Sequence, residues 1–216
     1  MEKLNVKLTF QEPLLGTLPG SEDLYMDYIA TKVPEDERTK IEDEVAALGV
    51  DAVAEKKMTV FPKLPDGSPF VYDYQVRGFF KGSCGALRKI SKARSAKLKA
   101  YKKEVDQLIF VYPRKIPIQL SGDMDVISRP LRAATPQGDR VAIAASESAP
   151  AGSSIALQII CFDDNDMKIV REWLEYGMFN GLGQWRNSGM GRFTWEEVPE
   201  SEIPGLAGKS LAVSWA

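Results

Sequence analysis

Five of the chain's 17 glycines fall between Gly177 and Gly191, within the run GMFNGLGQWRNSGMG. Each glycine costs extra backbone entropy on folding, so such a density needs a reason. Glycine reaches positive φ and has no Cβ, which lets successive N–H groups turn toward an anion. Arg186 and Arg192 add positive charge here, Trp185 adds a flat stacking face, and no acidic residue intervenes. The chemistry offered is the holding of a phosphate through Gly181, Gly183, Gly189 and Gly191, with a cation–π or stacking contact beside it. A tight link between helix and strand around a buried tryptophan is the other reading. Neither the P-loop nor the dinucleotide spacing is present to decide between them.

Further cations lie upstream. Nine basic residues and no acidic one fall between Lys81 and Lys103. Lys81 and Arg88 sit at the start of that run with Arg77 just before it. They face either solvent, as charged helix surfaces do, or an anion shared with the glycine-rich loop. Arg129 and Arg132, with Arg140, stand in VISRPLRAATPQGDR, where Pro130, Pro136 and Gly138 predict a loop. Loop arginines grip phosphates in bidentate fashion, but a plain surface turn fits as well. Phe79 and Phe80 could stack on bases or fill the core. Acidic residues gather from Glu22 to Glu55 and from Glu196 to Glu202, and the net charge is −2. Any polyanion site is therefore local.

Composition removes several chemistries. The chain has no histidine, which excludes histidine acid/base catalysis, Ser-His-Asp and Cys-His nucleophiles, and most zinc sites. Its two cysteines, Cys84 and Cys161, belong to no CxxC pair and read as reduced structural residues. No metal site and no cofactor is expected. The N-terminus lacks a signal-peptide core, and no run of about 18 apolar residues occurs, so a cytoplasmic protein off the membrane is expected.

The elements that must position these residues follow from periodicity. Leu4, Val6, Leu8 and Phe10 alternate with polar residues and predict a half-buried strand. Proline and glycine in EPLLGTLPGS then break regularity, and an insertion over residues 20–75 follows, with an acidic helix over Glu35–Leu48. Three prolines and the Asp66-Gly67 turn signal over Phe61–Tyr74 predict a hairpin or irregular loop leading into VYDYQV. Apolar spacing predicts a basic helix over Ser83–Val105. LIFVYPRKIPIQL reads as an edge strand interrupted by Pro113 and Pro117. RVAIAASE and SIALQIICF read as a hairpin joined by SAPAGS. A helix over Asp166–Tyr176, capped by Asp163 or Asp164, should end at Gly177. A strand over Arg192–Val198 and a tail strand, LAVSWA, complete the chain. The succession strand, helix, strand, strand, helix, strand predicts an α+β, ferredoxin-like or RRM-like βαββαβ domain spanning residues 1–216, with the insertion after its first strand.

The run GLGQWRNSGMGR resembles the C-terminal loop GxGxxxxxGxGR of the RAMP superfamily, the repeat-associated RNA-binding proteins of CRISPR effector complexes. Gly181, Gly183, Gly189, Gly191 and Arg192 match it position by position. VRGFFKGSCGALR is similar to the KGxxR-type helix opening of the crRNA-binding backbone subunits, through Lys81-Gly82 and Arg88, although GSCGALR replaces an uninterrupted KGALR. SESAPAGSSIALQI resembles a strand segment of the same subunits. The likeness covers about half the chain, the helix near residue 80 and residues 141–198. It implies a non-catalytic RNA-binding protein, working as a homo-oligomer or as a subunit of a ribonucleoprotein. Family members that cleave target RNA use a loop aspartate after the first strand, for which Asp23 and Asp27 are the loose equivalents. Two other readings use the same residues: a protein that binds or sequesters a small nucleotide or short oligonucleotide, and a structural or assembly subunit, viral in origin, that has lost its ligand.

Overall fold

The computed structural model describes residues 1–20, 58–135 and 138–206. Asp23, Asp27, the acidic helix over 35–48, most of the 20–75 insertion and the LAVSWA tail lie outside them. The chain divides into two units. The larger comprises Met1–Leu14, Lys63–Asp123 and Ala149 to the C-terminus, and the smaller Leu15–Pro62 and Met124–Ser148.

In the larger unit, β1 (Glu2–Phe10) buries Leu4, Val6, Leu8 and Phe10 as its alternation predicts. The smaller unit holds β2 (Leu14–Leu15, beginning one residue before it), β3 (Leu18–Pro19) and β4 (Thr59–Val60). The Asp66-Gly67 turn closes as predicted: Leu64 N–H donates to Ser68 O at 2.8 Å, and Gly67 takes φ +85°. It leads into β5 (Phe70–Tyr72) and then directly into helix α1 (Asp73–Leu87).

VYDYQV is thus helical from Asp73, which corrects the helix start expected at Ser83. Val76, Phe79, Phe80, Ser83 and Cys84 recur at helical spacing and are all buried. That stripe outweighs the β-propensity of the tyrosines and valines. At its start Tyr72 N–H donates to Gln75 Oε1 at 2.9 Å. The single helix expected over Ser83–Val105 is also corrected. α1 ends at Leu87, a 3₁₀ turn spans Arg94–Lys97, and α2 runs over Tyr101–Leu108. The cause is tertiary. The Glu172 carboxylate accepts N–H bonds from Arg94 and Ser95 at 2.7 and 3.0 Å, and buried Trp173 donates Nε1–H to Ser95 Oγ at 2.9 Å. Pulling Ser95 inward leaves Ile90 54% exposed in the connecting turn.

β6 (Ile109–Tyr112) and β7 (Lys115–Pro117) flank Pro113, and β7 pairs with β5. Next come β8 (Asp125–Thr135) and β9 (Gly138–Ala149), antiparallel to one another in the smaller unit, with Arg129 opposite Ala144 and Arg132 opposite Val141. This corrects the loop expected there. Pro130 is tolerated because β9 is the described partner of β8, so one side of the strand needs no donor. β9 pairs with β2, β4 and β8, whereas β10 (Ser154–Cys161) pairs with β1 and β6. The expected hairpin of RVAIAASE with SIALQIICF does not form.

Helix α3 (Asp164–Asn180) and β11 (Phe193–Glu197) complete the larger unit. Its main sheet has the order β11-β1-β10-β6 with every pairing antiparallel. The molecule is a mixed α/β protein with several antiparallel sheets. The core of the larger unit joins Phe80 to Trp173, with ring centroids 5.5 Å apart, and Phe79 to Phe193 at 5.3 Å. Gly177 does not end α3 as expected but lies inside it. A Cβ there would stand 2.2 Å from Phe193 Cζ, so glycine is needed for the ring to approach the helix. The helix ends instead at Gly181, at φ +72°, whose N–H donates to Gly177 O at 3.1 Å.

Candidate nucleic-acid interface

The glycine-rich loop is stapled at its neck. Leu182 N–H donates to Gly191 O at 2.8 Å, Gly191 N–H to Pro13 O at 2.9 Å, and Gln11 N–H to Arg192 O at 2.7 Å. Gly181, Gly183, Gly189 and Gly191 all take positive φ, between 69° and 88°. At two of them the reason is also spatial. A Cβ on Gly191 would lie 1.9 Å from Leu182 O, and one on Gly181 2.4 Å from Met190 O. The glycines bring the two arms of the neck into backbone contact.

Beyond the neck the loop makes its own small element. Trp185 adopts φ 50°, the one described non-glycine residue at positive φ, and opens a 3₁₀ turn over Arg186–Ser188. Ser188 closes it by donating from N–H and Oγ to Trp185 O at 2.9 and 2.8 Å, and Gly189 N–H donates to Arg186 O at 2.9 Å. Trp185 is partly exposed, not buried as the structural reading of the loop required. Among the described residues, the N–H groups of Gly183 and Gln184 donate to no backbone carbonyl. Such paired amides at positive-φ glycines are the geometry of an anion-binding nest.

Arg186 and Arg192 are exposed, and neither forms an ion pair with a described residue. Arg192 lies over Gly189, where a Cβ would meet its guanidinium at 3.4–3.6 Å. Arg186 reaches α1: its Nη1 stands 3.5 Å from the position of a Cβ on Gly82. The loop and the Lys81-Gly82 segment are therefore neighbours.

The cations of α1 are engaged locally. Arg77 pairs with Asp73 at 3.1 Å, one turn back, while its Nε is buried without a partner. Lys81 pairs with Asp106 of α2. Arg88 packs over the Tyr101 ring, 5.2 Å from its centroid. Arg129 and Arg132 lie on β8 of the smaller unit, and the Arg132 side chain is outside the described atoms. Sequence reasoning missed the neck contacts with Gln11 and Pro13, the closure by Ser188 and the left-handed Trp185. Only Ser188, a turn-favouring residue before glycine, carried a local signal.

Cys84 and Cys161 are free and buried, with burial pushing the first thiol up to about 11 and the second to about 12. No helix among the described residues is long and apolar enough to cross a membrane.

No protein-family model matches the chain, and no curated protein matches its sequence. The solved structures to which the chain is similar include the following two. One is a chain in the cryo-EM structure of the Type III-B Cmr-beta bound to cognate target RNA, at 10% identity and a TM-score of 0.49, covering 91% of this chain and 58% of that one. The other is a chain in a Type IV-B CRISPR complex, at 12% identity and a TM-score of 0.47, covering 99% and 96%.

Proposed function

We propose that this chain is a non-catalytic RNA-binding protein that holds backbone phosphates in its glycine-rich loop, as a RAMP-like ribonucleoprotein subunit. The observation that carries the reading is the loop itself. In a loop with four positive-φ glycines, the Gly183 and Gln184 amides find no carbonyl partner and the exposed Arg186 and Arg192 no ion pair among the described residues. Trp185, partly exposed next to Arg186 in the chain, supplies a face for a base. A ferredoxin-like reading of the larger unit is supported by the order β1-α1-β6-β10-α3-β11 and by the sheet order β11-β1-β10-β6, in which the first and third of these strands are central.

Fluorescence anisotropy with a labelled single-stranded RNA tests the proposal. Binding should weaken as salt rises, with a log–log slope of about −0.7 per phosphate contacted. The double substitution Arg186→Ala and Arg192→Ala should lower affinity by about tenfold or more at low salt and flatten the slope by about 1.4 units, as expected for two lost phosphate contacts. Absence of binding at low salt, or an unchanged slope in the double variant, overturns it.

A further inference from the structure

On the larger unit, away from the glycine-rich loop, the 3₁₀ turn, α2 and the first turns of α3 enclose a cleft of about 520 Å³. Small-ligand sites commonly measure about 300–1,000 Å³. Burial sorts its lining into layers. Asp166 and Ile169 form the floor, each only 7% exposed. Glu104 and Leu98, half-buried, form the walls. Arg94, Lys97 and Lys168 stand exposed at the mouth.

The floor and the mouth each lack a partner. Asp166 Oδ2 and Glu104 Oε2 are shut off from solvent, and no hydrogen bond reaches either oxygen. A carboxylate accepts and cannot donate, so each waits for an N–H or O–H group, and a buried acceptor left unpaired costs about 1–3 kcal/mol. At the mouth, none of the three cations forms an ion pair with a described residue. Asp163 stands beside them, and the Glu172 carboxylate is held by the Arg94 backbone N–H, which leaves the three cationic side chains for an incoming anion. The fitting ligand therefore carries N–H donors at its inner end, an apolar body against Leu98 and Ile169, and an anion at its outer end. A lysine or arginine side chain of a partner brings donors but no anion, and a polyamine meets repulsion at the mouth.

We infer that this cleft binds a guanine nucleotide, whose N1–H and 2-amino group donate to the Asp166 and Glu104 carboxylates while its phosphate meets Arg94, Lys97 and Lys168. Adenine is disfavoured, because its Watson–Crick edge turns an acceptor nitrogen toward the carboxylates. Burial, then the nearby Asp163 and Glu104 charges, push the Asp166 carboxyl up to about 6, so at neutral pH it is largely an ionised acceptor. The same chemistry comes from a free mononucleotide or from an unstacked guanosine of RNA, read on its Watson–Crick edge. The site shares no residue with the glycine-rich loop, so the two readings fail separately.

Calorimetric titration of the full chain with GMP, AMP and L-arginine at pH 7.5 tests the inference. GMP should bind saturably and at least tenfold more tightly than AMP. Asp166→Asn and Glu104→Gln should each weaken GMP at least tenfold. The Asp166 variant should melt at the same or a higher temperature than the parent, since it sheds a buried charge. Lys97→Ala with Lys168→Ala should weaken GMP while leaving guanosine unchanged, and the Arg186/Arg192 double variant should bind GMP normally. A guanine-containing oligoribonucleotide that displaces GMP from the parent identifies RNA as the source, and failure to displace it identifies the free nucleotide. No GMP binding at millimolar concentration, equal affinity for AMP, preference for L-arginine, or indifference to both carboxylate substitutions overturns the inference.

Discussion

Among the loop residues, glycines that look alike in sequence carry different loads. At Gly191 a side chain meets both a left-handed backbone and the Leu182 carbonyl oxygen 1.9 Å away. At Gly189 the backbone is left-handed too, but the nearest atoms belong to the flexible Arg192 guanidinium at 3.4 Å. Gly191→Ala should therefore cost about 2–4 kcal/mol, from αL strain plus overpacking against backbone, whereas Gly189→Ala should cost about 1–2 kcal/mol. Urea unfolding of the two variants checks this, and equal costs would show that the neck is not held by close approach. The need for glycine was legible in the sequence, but the ranking was not, because it depends on where the returning arm of the loop passes.

For the elements, the same limit shows in the basic segment after α1. Its apolar spacing is compatible with one long helix, yet the chain breaks so that Ser95 can enter the core. Ser95 Oγ donates to Glu172 Oε2 at 2.6 Å while accepting from Trp173 Nε1–H at 2.9 Å. Ser95→Ala leaves the buried indole N–H unpaired and should destabilise the chain by about 1–3 kcal/mol. Denaturant unfolding measures it, and a change below about 0.5 kcal/mol, the range of ordinary surface substitutions, would mean the bond does not anchor the turn. Gly177 belongs to the same lesson. Its place near the end of an apolar stripe reads as a stop, while its contact with Phe193 makes it a packing position inside α3.

Across the whole molecule, β1 is paired along both edges, with β10 and with β11, and its inward side chains are buried. β8, in the smaller unit, has β9 as its described partner. Native-state hydrogen exchange should accordingly find the slowest amides in β1 and β10 and fast exchange at the alternate amides of β8 that do not face β9. If β8 exchanged as slowly as β1, the contrast between a doubly paired strand and one with a single described partner would be wrong. The strands RVAIAASE and SIALQIICF illustrate the same scale. Adjacent in sequence and alike in composition, they join different sheets: β9 folds back on its neighbour β8, whereas β10 pairs with β1 and β6, far earlier in the chain.

What the amino-acid order determined by itself was local. It set the alternation of β1, the Asp66-Gly67 turn, and a glycine-rich loop with Arg186 and Arg192 free of acidic neighbours. Those features depend on residues within a few positions of one another, where sterics and periodicity act directly. Only the tertiary structure decided which glycines bear strain, where the basic helix breaks, and that Asp166 and Glu104 share a cleft with unpaired cations at its mouth. Asp166 and Glu104 stand 62 positions apart in the chain. Their unpaired oxygens exist only because packing of α2 and α3 removed the water that would otherwise solvate them.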